Sequence, residues 1–152
     1  MITSIKTTED DLLKLVDEIN QAFWDDANDM SAFDVETLSA YLVRQDTLFV
    51  ACHEIVENSK ILLGIAYSRV EIKPYGKVRW LYVDEVDVCA NQRRKGAGKA
   101  IMQKLLEIAK EKGCEEVWLG TELENTPAKA LYQSLEPDEV AQFVGYSYET
   151  DE

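Results

Sequence analysis

The chain has 152 residues, 46% of them apolar and 30% charged, enough to bury one proper core, and its net charge of −13 opposes general binding to a nucleic-acid backbone. No apolar run approaches the roughly 20 residues of a membrane span and no signal-like segment opens the sequence, so a single domain over residues 1–152 in the cytoplasm, without membrane contact, is expected. Cys52, Cys89 and Cys114 are widely spaced in apolar contexts and read as free thiols in a reducing compartment, and with His53 as the sole histidine no metal site is expected.

Ile2 to Lys6 suits a short first strand. Thr8 then reads as a helix cap followed by Glu9, Asp10 and Asp11, where the helix dipole favours acidic side chains. Leu12, Leu15, Val16, Ile19 and Phe23 recur at helical spacing, which predicts a helix to about Trp24. Asp25 to Ser31 is polar and irregular, a loop. Asp34 can cap a second helix carrying Val35, Leu38, Tyr41 and Leu42. Strands are predicted over Thr47–Val56, Ile61–Ile72 and about Val78–Cys89, with turns at Glu57–Lys60 and Pro74–Gly76.

The third strand breaks its own alternation. Leu81 and Val83 are apolar at odd positions, Val86 and Val88 at even ones. Keeping all four on one face needs an extra residue near Asp84 or Glu85, a β-bulge that frees backbone groups in mid-sheet. A wholly buried central strand is the alternative.

Arg93-Arg-Lys-Gly96-Ala-Gly98 follows and opens the next helix. Backbone N–H groups at a helix start lack intrahelical partners and share the positive end of the dipole, and small residues let an anion approach them. The loop has neither the lysine and hydroxyl of a P-loop nor the glycine spacing of a dinucleotide fingerprint, so it points to another diphosphate ligand. Arg93, Arg94, Lys95 and Lys99 form a basic island on an acidic background. That background suits a cationic substrate, or plain solubility.

The helix runs from about Lys99 to Lys112 with Ile101, Leu105, Ile108 and Ala109 on one stripe, and Gly113 ends it. Val117–Leu119 reads as a short strand, and Asn125 with Pro127 starts a helix that ends at Leu135. Glu136-Pro137 breaks it, and Val140–Tyr148 reads as a last strand. The predicted class is α/β with a mixed sheet, in the order β-α-α-β-β-β-α-β-α-β.

Arg93-x-x-Gly96-x-Gly98 and Asn125-x-x-Ala128-x-x-Leu131-Tyr132, in this order and separation, resemble two motifs of the GNAT superfamily of acyl-CoA-dependent N-acetyltransferases. The stretches Tyr82–Val88, Gln92–Gly96 and Pro127–Tyr132 look most like its aminoglycoside 3-N-acetyltransferase branch. Where family members continue with a glycine and an aromatic, this chain has Glu136-Pro-Asp-Glu139. The acceptor side is therefore the least transferable part. A second subunit of a homodimer, contacting through Phe143, Tyr146 or Tyr148, is one way to complete it.

The resemblance implies acetyl-CoA as co-substrate. Its pyrophosphate would lie on the backbone N–H groups of Arg94, Lys95, Gly96, Ala97, Gly98 and Lys99, with Arg93 and Arg94 adding charge. The main chain of Val86 and Val88 would pair the pantetheine arm, a freed N–H at the bulge would polarise the thioester, and Asn125 would bond the arm or only cap its helix. Tyr132 is the implied general acid for the leaving thiolate. Glu85, at the bulge, is the candidate base, with Asp84, Asp87 and Glu122 as alternatives or as ligands for a cationic acceptor. The expected activity is N-acetylation of a small polycationic amine of aminoglycoside-like kind. A protein or peptide N-acetyltransferase and a non-catalytic acyl-CoA-binding module are the alternatives.

Overall fold

The structure is a computed structural model that describes residues 1–5 and 12–151. The predicted cap at Thr8 and its acidic turn lie outside the described residues. A five-stranded sheet runs in the order β1 (Ile2–Ser4), β2 (Thr47–Val56), β3 (Ser59–Ile72), β4 (Arg79–Val88) and β5 (Glu116–Trp118). Neighbours from β1 to β4 are antiparallel, and β5 joins β4 in parallel. Glu57 and Asn58, both at positive φ, tighten the β2–β3 connection to two residues.

Side-chain alternation on the inner strands builds two cores. Leu48, Val50 and Ala66 face α3 (Ala97–Glu111) and meet its Ile101, Leu105, Ile108 and Ala109. Phe49, Ala51 and Ile65 face the other way, against α1 (Leu12–Gln21) and α2 (Val35–Val43) through Leu15, Ile19, Leu38 and Leu42. Asp34 caps α2 as predicted, accepting from the Thr37 amide at 2.7 Å, a contact typically worth about 1 kcal/mol. α1 stops at Gln21, short of Trp24, because the Ala22 amide turns back to Ile19 and the Trp24 indole bonds the same carbonyl.

The predicted bulge is present. Tyr67 of β3 opposes Glu85, the next residue Ser68 opposes Val83, and Asp84 has no partner. β5 touches β4 only at Trp80, Leu81 and Tyr82. Beyond Tyr82 the outer edge of β4 has no strand partner among the described residues, so the two parallel strands part into a V beside α4 (Thr126–Ser134).

One predicted element is corrected. Val140–Tyr148 forms no strand, although Val140, Val144, Tyr146 and Tyr148 keep an even-numbered apolar alternation. A strand needs a neighbouring edge for its amides, and this segment bonds to none among the described residues. Its large side chains stay exposed; only Phe143 leans on a ring, that of Trp118.

Candidate active site

A cleft of about 210 Å³ fills the V between β4 and β5. β4 contributes Val83 to Asp87, the turn after β5 Leu119 to Glu122, α4 Asn125, Ala128 and Tyr132, and the α1–α2 loop Ala27 to Asp29. Glu85, Tyr132, Asp84, Asp87, Glu122, Asn125 and Val86 are thereby brought together. Val88 lies outside the cleft, its side chain packed toward the α3 core and Gly98.

The carboxylates differ sharply. Asp87 is 4% exposed; burial raises its pKa, while a 2.9 Å hydrogen bond from Asn28 Nδ2 to Oδ1 opposes the rise. Its Oδ2 has no partner among the described residues. Glu85 keeps contact with water, yet loss of hydration and then the charge of Asp87 push its carboxyl up to about 7. Asp84 is tied to Arg69 at 3.1 Å. Tyr132 is partly buried, and burial followed by the charges of Asp87 and Glu85 pushes its phenol up to about 12. The cleft therefore holds a carboxylate poised near neutrality and a phenol that stays protonated.

The Arg93–Lys99 loop adjoins this cleft and leads into α3. Gly96, at φ +80°, takes a left-handed conformation that side chains disfavour, and a Cβ there would meet only open space. Gly98 also has a packing role that its loop position does not announce. A Cβ on it would lie 2.9 Å from Leu131 Cδ2, so its smallness seats α4 against α3. Among the described residues the amides of Arg94 through Lys99 donate to no other protein group. With the open edge of β4, that is the donor set a diphosphate on an extended arm requires, and coenzyme A fits it.

The basic island is partly spent inside the protein. Arg93 grips Asp25 through both terminal nitrogens, at 2.5 and 3.1 Å, and reaches Asn28 Oδ1 at 3.3 Å. Lys95 bonds Glu54 and Gln92, both at 2.8 Å. The half-exposed Arg93–Asp25 pair contributes at most about 1 kcal/mol, so a diphosphate could compete for it. Asn125 caps α4, accepting from the Ala128 amide at 3.2 Å. His53 is a buried side chain beside Glu18, away from the cleft.

Asn28 is the site residue that sequence reasoning missed. It is 7% exposed and joins Arg93 of the loop to Asp87 of β4, partners 65 and 59 positions away, which no local pattern announces. Asn28→Ala strands the Asp87 carboxylate. A cost of about 1–3 kcal/mol is expected, visible as a fall in Tm of roughly 3–8 °C. The doubly ionised Glu85–Asp87 pair also loses a donor, so its titration midpoint moves to higher pH. An unchanged Tm and an unchanged midpoint would remove Asn28 from this network.

A family model described as the acetyltransferase (GNAT) family matches residues 13–136. Over 85 residues the chain is 29% identical to N-acetyltransferase family 8 member 3 of Mus musculus, covering 56% of this chain and 38% of the mouse protein. The chain thus spans well under half the length of that curated relative. An aminoglycoside acetyltransferase from an uncultured soil metagenomic sample, solved with trehalose and with sisomicin, superposes with TM-scores of 0.82 and 0.80 at 24% and 22% identity, over 99% of this chain and 96% of that one. An aminoglycoside N-acetyltransferase solved in complex with CoA superposes with a TM-score of 0.68 at 14% identity, over 98% of this chain and 99% of that one. At such identities these structures establish the fold.

Proposed function

Because the chain belongs to the acetyltransferase (GNAT) family, we propose that it moves an acetyl group from acetyl-CoA to a primary amine of a small cationic acceptor of aminoglycoside-like kind. The observation that carries this reading is one cleft holding Glu85, near pKa 7, and the protonated Tyr132 beside six unpartnered amides. The sisomicin-bound relative supports the acceptor class, and the carboxylates of the cleft support its charge.

Amides of Arg94 to Lys99 hold the diphosphate, and the open main chain at Val86 and Val88 pairs the pantetheine arm. The thioester supplies an activated acetyl group, which the amine takes as the carbon–sulfur bond breaks. A bulge N–H next to Asp84 polarises its carbonyl oxygen. Asp87 and Glu122 draw the ammonium in, and Glu85 removes its proton. Tyr132 gives a proton to the departing sulfur, and the second proton, released by the acylated nitrogen, restores the phenol.

No helix among the described residues is long and apolar enough to cross a membrane. Residues 1–152 act as one cytoplasmic domain in this reading. The apolar C-terminal segment pairs two copies into a homodimer, since Val140, Phe143, Val144, Tyr146 and Tyr148 are 70–82% exposed in the single chain.

Thiol release from acetyl-CoA, followed with aminoglycosides, polyamines and peptides, tests the reading. Release with the small polycations supports it. Release with peptides alone identifies a peptide acetyltransferase. A rise in Tm with acetyl-CoA but no release with any acceptor identifies a binding module.

A further inference from the structure

We propose that the acceptor site has a second, apolar compartment that receives a ring carried by the amine, so that among amines of equal charge one bearing a ring on a short alkyl link is preferred. This rests on the transferase reading and adds an apolar determinant of specificity to the charged one at Glu85 and Asp87.

A separate recess of about 200 Å³ lies between the α1–α2 loop, α2 and the face of β2 and β3. Four aromatic rings wall it. Phe49 stacks on Tyr67 with centroids 6.1 Å apart, and Phe33 and Tyr41 meet these two edge-on at 6.2 and 5.9 Å. The only charge on the lining is Asp34, and both its oxygens are taken by Thr37, through the amide at 2.7 Å and the hydroxyl at 2.9 Å. Beyond the faces of its rings the recess offers an ammonium no partner, whereas it offers an apolar ring an apolar lining on several sides.

Its walls are also fixed. The Asn20 side chain clamps the Phe33 backbone, donating to the carbonyl and accepting from the amide, both at 2.8 Å. Tyr41 Oη donates to the Ser68 carbonyl at 3.0 Å, and Thr47 holds the Tyr41 carbonyl in turn. Walls anchored this way do not collapse inward, so the apolar surface stays available to a ligand. The volume is below the roughly 300 Å³ at which drug-sized pockets begin, and suits a single ring system.

The recess meets the strand pairing of the candidate base at Tyr67. Its ring lines the recess, and it stands directly opposite Glu85 across β3 and β4, where Cβ atoms lie about 5 Å apart. The charges of Glu85, Asp87 and Asp84 reach its hydroxyl, which they help push up to about 12 after burial. An amine at Glu85 thus needs only a short alkyl link to place a ring beside Tyr67.

The test compares 2-phenylethylamine with n-butylamine, equal in charge, by acetyl-CoA-dependent thiol release and by calorimetric binding to the coenzyme A complex. Burying the ring predicts a kcat/KM at least about ten-fold higher for the aryl amine. Ala32→Phe, or Ser31→Phe should the first not fold, fills the recess and brings the ratio to about one. Equal kcat/KM for the two amines in the wild type, or a ratio that survives both filled variants, overturns the proposal while leaving the transferase reading in place. Ring binding that is lost in the filled variants, but without turnover, keeps the recess and sinks the transferase reading. Neither binding nor turnover sinks both.

Discussion

Tyr132→Phe lowers kcat by roughly 10²-fold or more and leaves coenzyme A affinity within about two-fold of wild type. The phenol lies in the V beside Glu85 and Asp87, and its pKa of about 12 keeps it protonated at any working pH. A thiol titrates ordinarily near 8.5, so handing the proton to a thiolate from this ground state is uphill by more than about three units. The gap narrows during turnover. Burial sets most of the rise, but the charges of Asp87 and Glu85 add to it, and Glu85 is neutralised once it has taken the ammonium proton. Tyr132 then donates more readily, so base and acid act in sequence. Tyr132→Phe combined with Glu85→Gln should therefore cost much less than the product of the single losses. Stopped-flow thiol release on the two single variants and the pair checks this. Unaltered kcat in Tyr132→Phe would remove Tyr132 as the acid.

Glu85→Gln lowers kcat/KM by roughly 10²–10⁴-fold at pH 8 and removes the acid limb of the pH profile. In the wild type the base must be ionised. Activity rises with pH through a midpoint near 7, and because Glu85 keeps water contact the midpoint should fall no higher than this. No alkaline limb from Tyr132 is expected below pH 10, since its phenol titrates near 12. Stability carries the opposite sign. A carboxyl whose folded pKa is raised contributes stability at low pH, which fades as pH climbs from the ordinary glutamate range through 7. Glu85→Gln should thus gain Tm relative to wild type at pH 8 and not at pH 4. A variant that retains the acid limb would pass the role of base to Asp87 or Glu122.

The parts of the site legible in the sequence are those fixed by local pattern. The switch from Leu81 and Val83 to Val86 and Val88 locates the bulge because side chains alternate along a strand whatever surrounds it, and the structure leaves Asp84 unpaired there. Asp34 and Asn125 announce their caps through short-range hydrogen bonds. Gly96 announces its turn through the conformation that turn demands. What stayed hidden depends on partners far away in sequence. Arg93 is drawn to Asp25 and Asn28, 68 and 65 positions off, and not left open toward the loop. The aromatic recess draws its rings from a loop, a helix and two strands. Val140–Tyr148 fails for a related reason: its alternation is that of a strand, but a strand exists only where a distant edge takes up its amides, and among the described residues none does.

Transfer from acetyl-CoA requires coenzyme A to seat its diphosphate on the amides that precede and open α3. Isothermal titration of coenzyme A into the wild-type protein and into Gly96→Val tests that requirement directly. A saturable heat in the wild type that falls at least about ten-fold in affinity in the variant is predicted, because a branched side chain at φ +80° both strains the turn and covers the approach. No heat in the wild type, or equal affinity in a variant that remains folded, would contradict it.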